Sequence, residues 1–269
     1  MVKFEREKMN INQYNTLQNR FFNYVDIFKE ENGDFCFSLK EKLSHINRVT
    51  ENALYISENE KWSENDCLIA KLCGLFHDIG RFSQYKKFKT FSDNKSVNHG
   101  QQGFDVINSN NLFEGIDLNE SQIILDAVHY HNSLQIPENL SSKSKSFTNL
   151  TRDADKIDIF FMLTNCIENN TLESHQDLLW NLPMEGPNPI IVEKLLNNSN
   201  ALYSEIKSGT DVCLLQLCWL YEMNYNSSLV KINENKTVEL LATIMPKSLE
   251  VEKCVKHISQ YIKHRLANN

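Results

Sequence analysis

The chain has 269 residues, 41% of them hydrophobic, and a formal charge of −7; that length suffices for one extended domain or a domain with a helical extension. The acidic balance, with no Lys/Arg run interleaved with aromatics, excludes a face for duplex nucleic acid but leaves room for a small phosphorylated partner. Seven cysteines, an odd number with no Cys-x-x-Cys spacing, read as reduced and packed thiols.

The opening Met1-Val-Lys-Phe-Glu-Arg-Glu-Lys8 is charged and no apolar segment follows, so neither a signal peptide nor a membrane span is expected and a cytoplasmic protein is the default. The most apolar stretch, Val212 to Tyr221, is too short for a bilayer and is interrupted by Gln216.

In chain order, Tyr14, Leu17, Phe21, Phe22, Val25 and Phe28 recur at three-four spacing and predict a packing helix from about Ile11, closed near Asn32-Gly33. A second helix is predicted from Phe37 or Ser38 through Ser57, with Ile46, Val49, Ala53, Leu54 and Ile56 buried and His45 and Arg48 one turn apart. Ser63-Glu-Asn-Asp66 has the form of a capping box for a third helix that ends at the doublet His77-Asp78, with Gly80 as its stop signal.

From Phe82 to Asn98 the pattern is polar and aromatic (Tyr85, Phe88, Phe91, Ser92, Asp93) and reads as a loop with room for one short helical turn. His99-Gly-Gln-Gln-Gly103 opens the next helix, and Asn119-Glu-Ser-Gln122 caps another that carries Ile123, Ile124, Ala127, Val128, His129 and His131. After a Ser/Lys-rich loop over Ser141 to Ser146, a stripe of Leu150, Ala154, Ile157 and Phe161 passes beside Asp153, Asp155 and Asp158.

Beyond Glu168, Asn/Pro punctuation precedes helical patterns at roughly Ile190–Ile206, Asp211–Met223, Thr237–Met245 and Leu249–Leu266, with Thr210 and Ser248 as N-caps. No strand-like alternation persists, so the chain reads as all-α: a helical domain over residues 1–168 and a helical C-terminal extension over 169–269 packed on it.

His45, His77, Asp78, His99, His131 and Asp155 place nitrogen and oxygen donors on five successive predicted helices, with His129 alongside. So many buried ionisable groups are costly unless a cation compensates them, and imidazole with carboxylate suits manganese, iron, zinc, cobalt or nickel better than calcium. A bridging carboxylate such as Asp78 can serve two ions within about 4 Å of one another.

These residues resemble the HD superfamily of metal-dependent phosphohydrolases, named for a His-Asp doublet, over roughly Leu43 to Phe161. The resemblance lies in the ordered segments His45-Ile-Asn-Arg-Val49, Phe76-His-Asp-Ile-Gly-Arg-Phe82, His99-Gly-Gln-Gln-Gly103, Ala127-Val-His-Tyr-His-Asn132 and Asp153-Ala-Asp-Lys-Ile-Asp158. It implies an HD-type helical bundle with additional C-terminal helices, one metal on His45, His77, Asp78 and Asp155, and a second ion's histidines at His99 and His131. The family aspartate follows an alanine and precedes a basic residue, which favours Asp155 and leaves Asp153 to orient a ligand; the usual offset favours His131 over His129. Asn132-Ser-Leu-Gln stands where the cyclic dinucleotide-cleaving branch has Gly-Tyr-Pro, and the run through Arg81, Phe82, Phe91, Asp93 and His99 is similar to stand-alone bacterial HD proteins.

The implied chemistry is hydrolysis of a phosphoester or phosphoanhydride of a nucleotide or related compound, with one or two divalent ions (Mn, Fe, Ni, Co or Zn, with Mg admissible). Such an ion lowers the pKa of water from about 15.7 toward 7. Arg48, Arg81 and Lys156 adjoin the expected ligands and are candidates to stabilise phosphoryl charge beside Asp78, while His129 is a candidate to protonate the leaving group. Two other readings are a nucleotide-sensing module without turnover and a di-iron oxygenase on the same scaffold. A homo-oligomer is compatible with the sequence, which does not specify one.

Overall fold

The computed structural model describes residues 8–268, and among them there is no strand. The chain divides into two compact units, Met1–Asp155 and Lys156–Asn269, and the division falls inside one long helix.

The first unit is built from α1 (Ile11–Asp26), α2 (Phe37–Asn59), α3 (Glu64–Phe76), α4 (Gly80–Phe88), α5 (His99–Ser109), α6 (Leu118–Tyr130) and the first part of α7 (Ser142–Glu168). Asn10 caps α1 through a reciprocal capping box with Gln13, and Tyr14, Leu17, Phe21 and Val25 form its buried stripe. Phe21 meets Phe76 of α3 edge to face at 5.3 Å, seating α1 on α3, and each fully buried ring of this kind contributes about 1.5–3 kcal/mol. α3 packs on α2, α5 on α4, and α6 on both α3 and α5.

Two glycines set the spacing around the His-Asp doublet. A Cβ at Gly74 would lie 2.8 Å from Thr50 Cα, so α3 lies directly on the backbone of α2. A Cβ at Gly80 would lie 2.5 Å from both the Gly103 nitrogen and the His99 carbonyl oxygen, so the start of α4 touches the first turns of α5.

That contact explains where the sequence expectation differs. Gly80 follows the end of α3 as expected, but it also opens α4, a helix over residues expected to form a loop. Its role is close approach. The remainder of that segment is irregular apart from a short 3₁₀ turn at Asp93–Lys95. α1 stops earlier than predicted, at Asp26, and α7 begins at Ser142, inside the expected Ser/Lys loop.

The second unit comprises the rest of α7, then α8 (Pro189–Leu196), α9 (Gly209–Cys218), α10 (Asn226–Glu234), α11 (Thr237–Ile244) and α12 (Leu249–Ala267). α12 packs against α8, α10 and α11. Ser208 rather than Thr210 caps α9, through a box with Asp211, whereas Ser248 caps α12 as predicted. The predicted Ile190–Ile206 helix ends at Leu196, because Asn198 takes a left-handed φ of 53° in an Asn-rich stretch. No described helix is long and apolar enough to cross a membrane.

Candidate metal centre

Helix termini aim most of the donors. His77 is the C-cap of α3 and His131 the C-cap of α6, and His99 is the first residue of α5 behind the Asn98 N-cap. His45 lies on the buried face of α2 with Ile46 and Val49, and Asp155 comes from α7. His45, His77, Asp78, His99 and His131 are all buried. Asp155 is the donor nearest solvent, its side chain 25% exposed.

The donors form two groups, His45, His77 and Asp155 in one and Asp78, His99 and His131 in the other, each within 4.8 Å. In the first, His45 Nε2 is 3.2 Å from His77 Nε2 and 3.3 Å from Asp155 Oδ1, and His77 Nε2 is 4.0 Å from Asp155 Oδ1. In the second, His99 Nε2 is 3.0 Å from His131 Nε2. Asp78 joins them. Its Oδ2 is 3.5 Å from both His45 Nε2 and His77 Nε2, and its Oδ1 is 3.5 Å from His99 Nε2 and 3.8 Å from His131 Nε2.

These separations fit a divalent ion. Donors about 2.1 Å from a common centre lie about 3.0–3.4 Å apart in octahedral or tetrahedral coordination, which the shorter distances reproduce. The ring protons agree. His77 Nδ1 is 2.7 Å from the Gly74 carbonyl oxygen and His131 Nδ1 is 2.8 Å from that of Val128. A carbonyl only accepts, so each Nδ1 carries a proton and each neutral ring turns an Nε2 lone pair inward. Lone pairs facing one another at 3.0 Å beside carboxylates make a donor set that calls for a cation.

Burial keeps His77 and His131 neutral, while their surroundings keep Asp78 and Asp155 charged. Burial lowers His131 from 6.5 to about 3, and burial also lowers His77. Asp78 is held well below the usual carboxylate range: burial would raise it, but Lys42, His77 and Arg81 outweigh that. Asp155 is likewise held low against burial by its hydrogen bond with His45 and the neighbouring imidazoles.

Lys42, one turn before His45 on α2, was not singled out by the sequence; its Nζ lies 3.0 Å from Asp78 Oδ2. The i, i+3 relation to His45 was the available signal. Arg81 faces the other oxygen, with Nε 3.3 Å from Asp78 Oδ1, and its Nη1 also donates to Asp93 Oδ1, Gln84 Oε1 and the Phe91 carbonyl.

The remaining sequence candidates lie elsewhere or less directly. His129 stacks on Tyr130 at 4.3 Å and lies 5.0 Å from Phe104, outside both donor groups. Arg48 is half-buried on α2, Asp153 is fully buried on α7, and Lys156 forms an ion pair with Glu222 at 2.7 Å. Tyr85 and Phe91, from the segment expected to form a loop, pack on each other at 4.9 Å.

An all-helical domain that gathers four imidazoles around one buried aspartate is a candidate metal-binding domain. Residues 43–163 match the family model described as HD domain, a superfamily most of whose members are metal-dependent hydrolases. Comparisons with curated proteins and with solved structures returned no match.

Proposed function

We propose that the protein is a metal-dependent phosphohydrolase acting on a nucleotide or related small phosphorylated compound. Its centre would hold two divalent ions, one on His45, His77 and Asp155, the other on His99 and His131, with Asp78 serving both. The observation that carries this reading is the division of the two Asp78 oxygens between the two imidazole groups. When bound, the ions supply Lewis-acid activation of water and neutralise charge on the phosphoryl oxygens.

The chain's own residues prepare the site. Main-chain carbonyls of Gly74 and Val128 orient His77 and His131. Lys42 and Arg81 add positive charge at the side chain of Asp78, which favours approach of an anionic substrate. Arg81 already donates within the protein, so Lys42, with the simpler set of contacts, is the better candidate to reach a phosphoryl oxygen.

The test is phosphate release from a panel of nucleotides and phosphodiesters with manganese, cobalt, nickel, magnesium and zinc, for wild type and a folded Asp78→Ala variant. Release that depends on metal and on Asp78 supports the proposal. Nucleotide binding without turnover under every metal, or oxygen-dependent activity with iron, overturns it in favour of a sensor or an oxygenase.

A further inference from the structure

We propose that Asp93 is a positioning residue that holds His99 as the neutral Nδ1–H imidazole and thereby gives the Asp78, His99 and His131 group its affinity for a second divalent ion. The inference rests on the metal-centre reading above.

His99 is seated differently from its counterparts. His77 and His131 give their Nδ1 protons to neutral main-chain carbonyls, whereas His99 Nδ1 faces a carboxylate, Asp93 Oδ2, at 2.6 Å. The opposite ring edge identifies the tautomer. Arg81 Nη2 lies 3.3 Å from His99 Nε2, and a guanidinium has no acceptor, so Nε2 must offer its lone pair and the ring proton must sit on Nδ1. Asn132 Nδ2 also lies 3.1 Å from Nδ1, but the Asp93 carboxylate is nearer at 2.6 Å and shares that amide, so Asp93 and Arg81 favour the same tautomer from both sides, the one that aims Nε2 at His131 and Asp78. A carboxylate partner also raises the basicity of a ligand imidazole more than a carbonyl does.

Asp93 is itself fixed by residues from two segments, α4 and the turn after α6. Arg81 Nη1 is 2.7 Å and Gln84 Nε2 3.1 Å from its Oδ1, and Asn132 Nδ2 is 3.3 Å from its Oδ2. Gln84, almost fully buried on α4, also lies within 2.8 Å of Ser96 Oγ and 3.0 Å of the Val97 carbonyl oxygen. The segment between α4 and α5 is thus clamped to α4 and presents one carboxylate to one ring. With Arg81, Gln84 and Asn132 all donating to it, Asp93 meets His99 as an acceptor.

The experiment is manganese titration by calorimetry, with elemental analysis after gel filtration, on the full chain as wild type, Asp93→Ala, Asp93→Asn and His99→Ala. Wild type is expected to bind two ions. Asp93→Ala should bind one of them 10- to 100-fold more weakly and the other unchanged, with Asp93→Asn intermediate because its amide oxygen still accepts from Nδ1. His99→Ala should lose the same ion. Where Asp93→Ala does not fold, Asp93→Asn carries the comparison.

A second readout is the ring ¹H–¹⁵N spectrum of metal-free protein at pH 8, in which wild-type His99 should carry its proton on Nδ1 and Asp93→Ala should shift it toward Nε2. Purely structural support from Asp93 would not move that proton. Two ions retained at wild-type affinity in Asp93→Ala while His99→Ala loses one, or an Nε2 proton in wild type, overturns the inference and leaves the metal centre standing. A wild type that binds one ion overturns it together with the two-ion reading of the centre. A wild type that binds none removes both proposals.

Discussion

Lys42 Nζ lies 3.0 Å from Asp78 Oδ2 while Arg81 Nε approaches the other oxygen of the same carboxylate, so each oxygen of this buried acid has its own cation. Lys42→Met leaves Oδ2 without that partner. Metal-free protein should lose about 1–3 kcal/mol of stability in urea unfolding. Combined with Asp78→Asn, the two losses should fall short of additive by about 0.5 kcal/mol or more, and strict additivity would show that the pair is not coupled.

Acid should destabilise the metal-free protein in two stages. The His131 ring titrates near 3 in the native state against 6.5 ordinarily, and His77 is lowered too, so below about pH 6.5 the unfolded chain takes up protons that the native rings refuse. Stability should fall by up to about 1.4 kcal/mol per pH unit for each such ring. Asp78, Asp93 and Asp155 are held low, so their contribution is present above about pH 4 and is lost below it, steepening the decline. Urea midpoints from pH 8 to 2 check this, and His131→Phe should flatten the first stage; midpoints constant between pH 7 and 5 would contradict it.

Gly80→Ala places a methyl group 2.5 Å from backbone atoms of both His99 and Gly103, neither of which is a flexible side-chain tip. The helices must separate, at about 1–3 kcal/mol or more. Because His99 moves with α5, manganese binding should weaken along with thermal stability. A Gly80→Ala protein with the wild-type melting temperature would refute the close approach.

All seven cysteines are free thiols, five of them buried and only Cys36 and Cys67 half-buried. Burial pushes Cys213 and Cys218 up to about 12 and Cys254 to about 11. A thiol-reactive chromophore added to native protein should therefore label Cys36 and Cys67 promptly and the other five only on unfolding. Fast labelling of Cys213 or Cys218 would show that the second unit opens readily.

Much of this was legible in the sequence because its signals are local. The buried stripe of α1 and the Ser63 and Ser248 caps follow from spacing and cap chemistry, and the all-α class from the absence of alternation. α4 was not legible, because a glycine that serves helix contact reads the same as one that ends a helix. α10, over Asn226–Glu234, was missed for a related reason: its opening Asn-Ser-Ser has the composition of a loop, and the packing of Ser227, Ser228, Leu229 and Ile232 overrides that preference. At the centre, the sequence supplied residue types and order, while the contact of Lys42 with Asp78 depends on where α2 meets the end of α3.

His77 and His131 share a local device: each caps a helix and binds the carbonyl three residues earlier in its own chain. Their aim is thereby built into the main chain at a helix end, independent of which side chains surround it. A cap of this kind is portable. Fitted to the ends of two neighbouring helices in an unrelated bundle, the same two-residue arrangement supplies a pair of inward-facing imidazoles without a supporting shell of acids or amides.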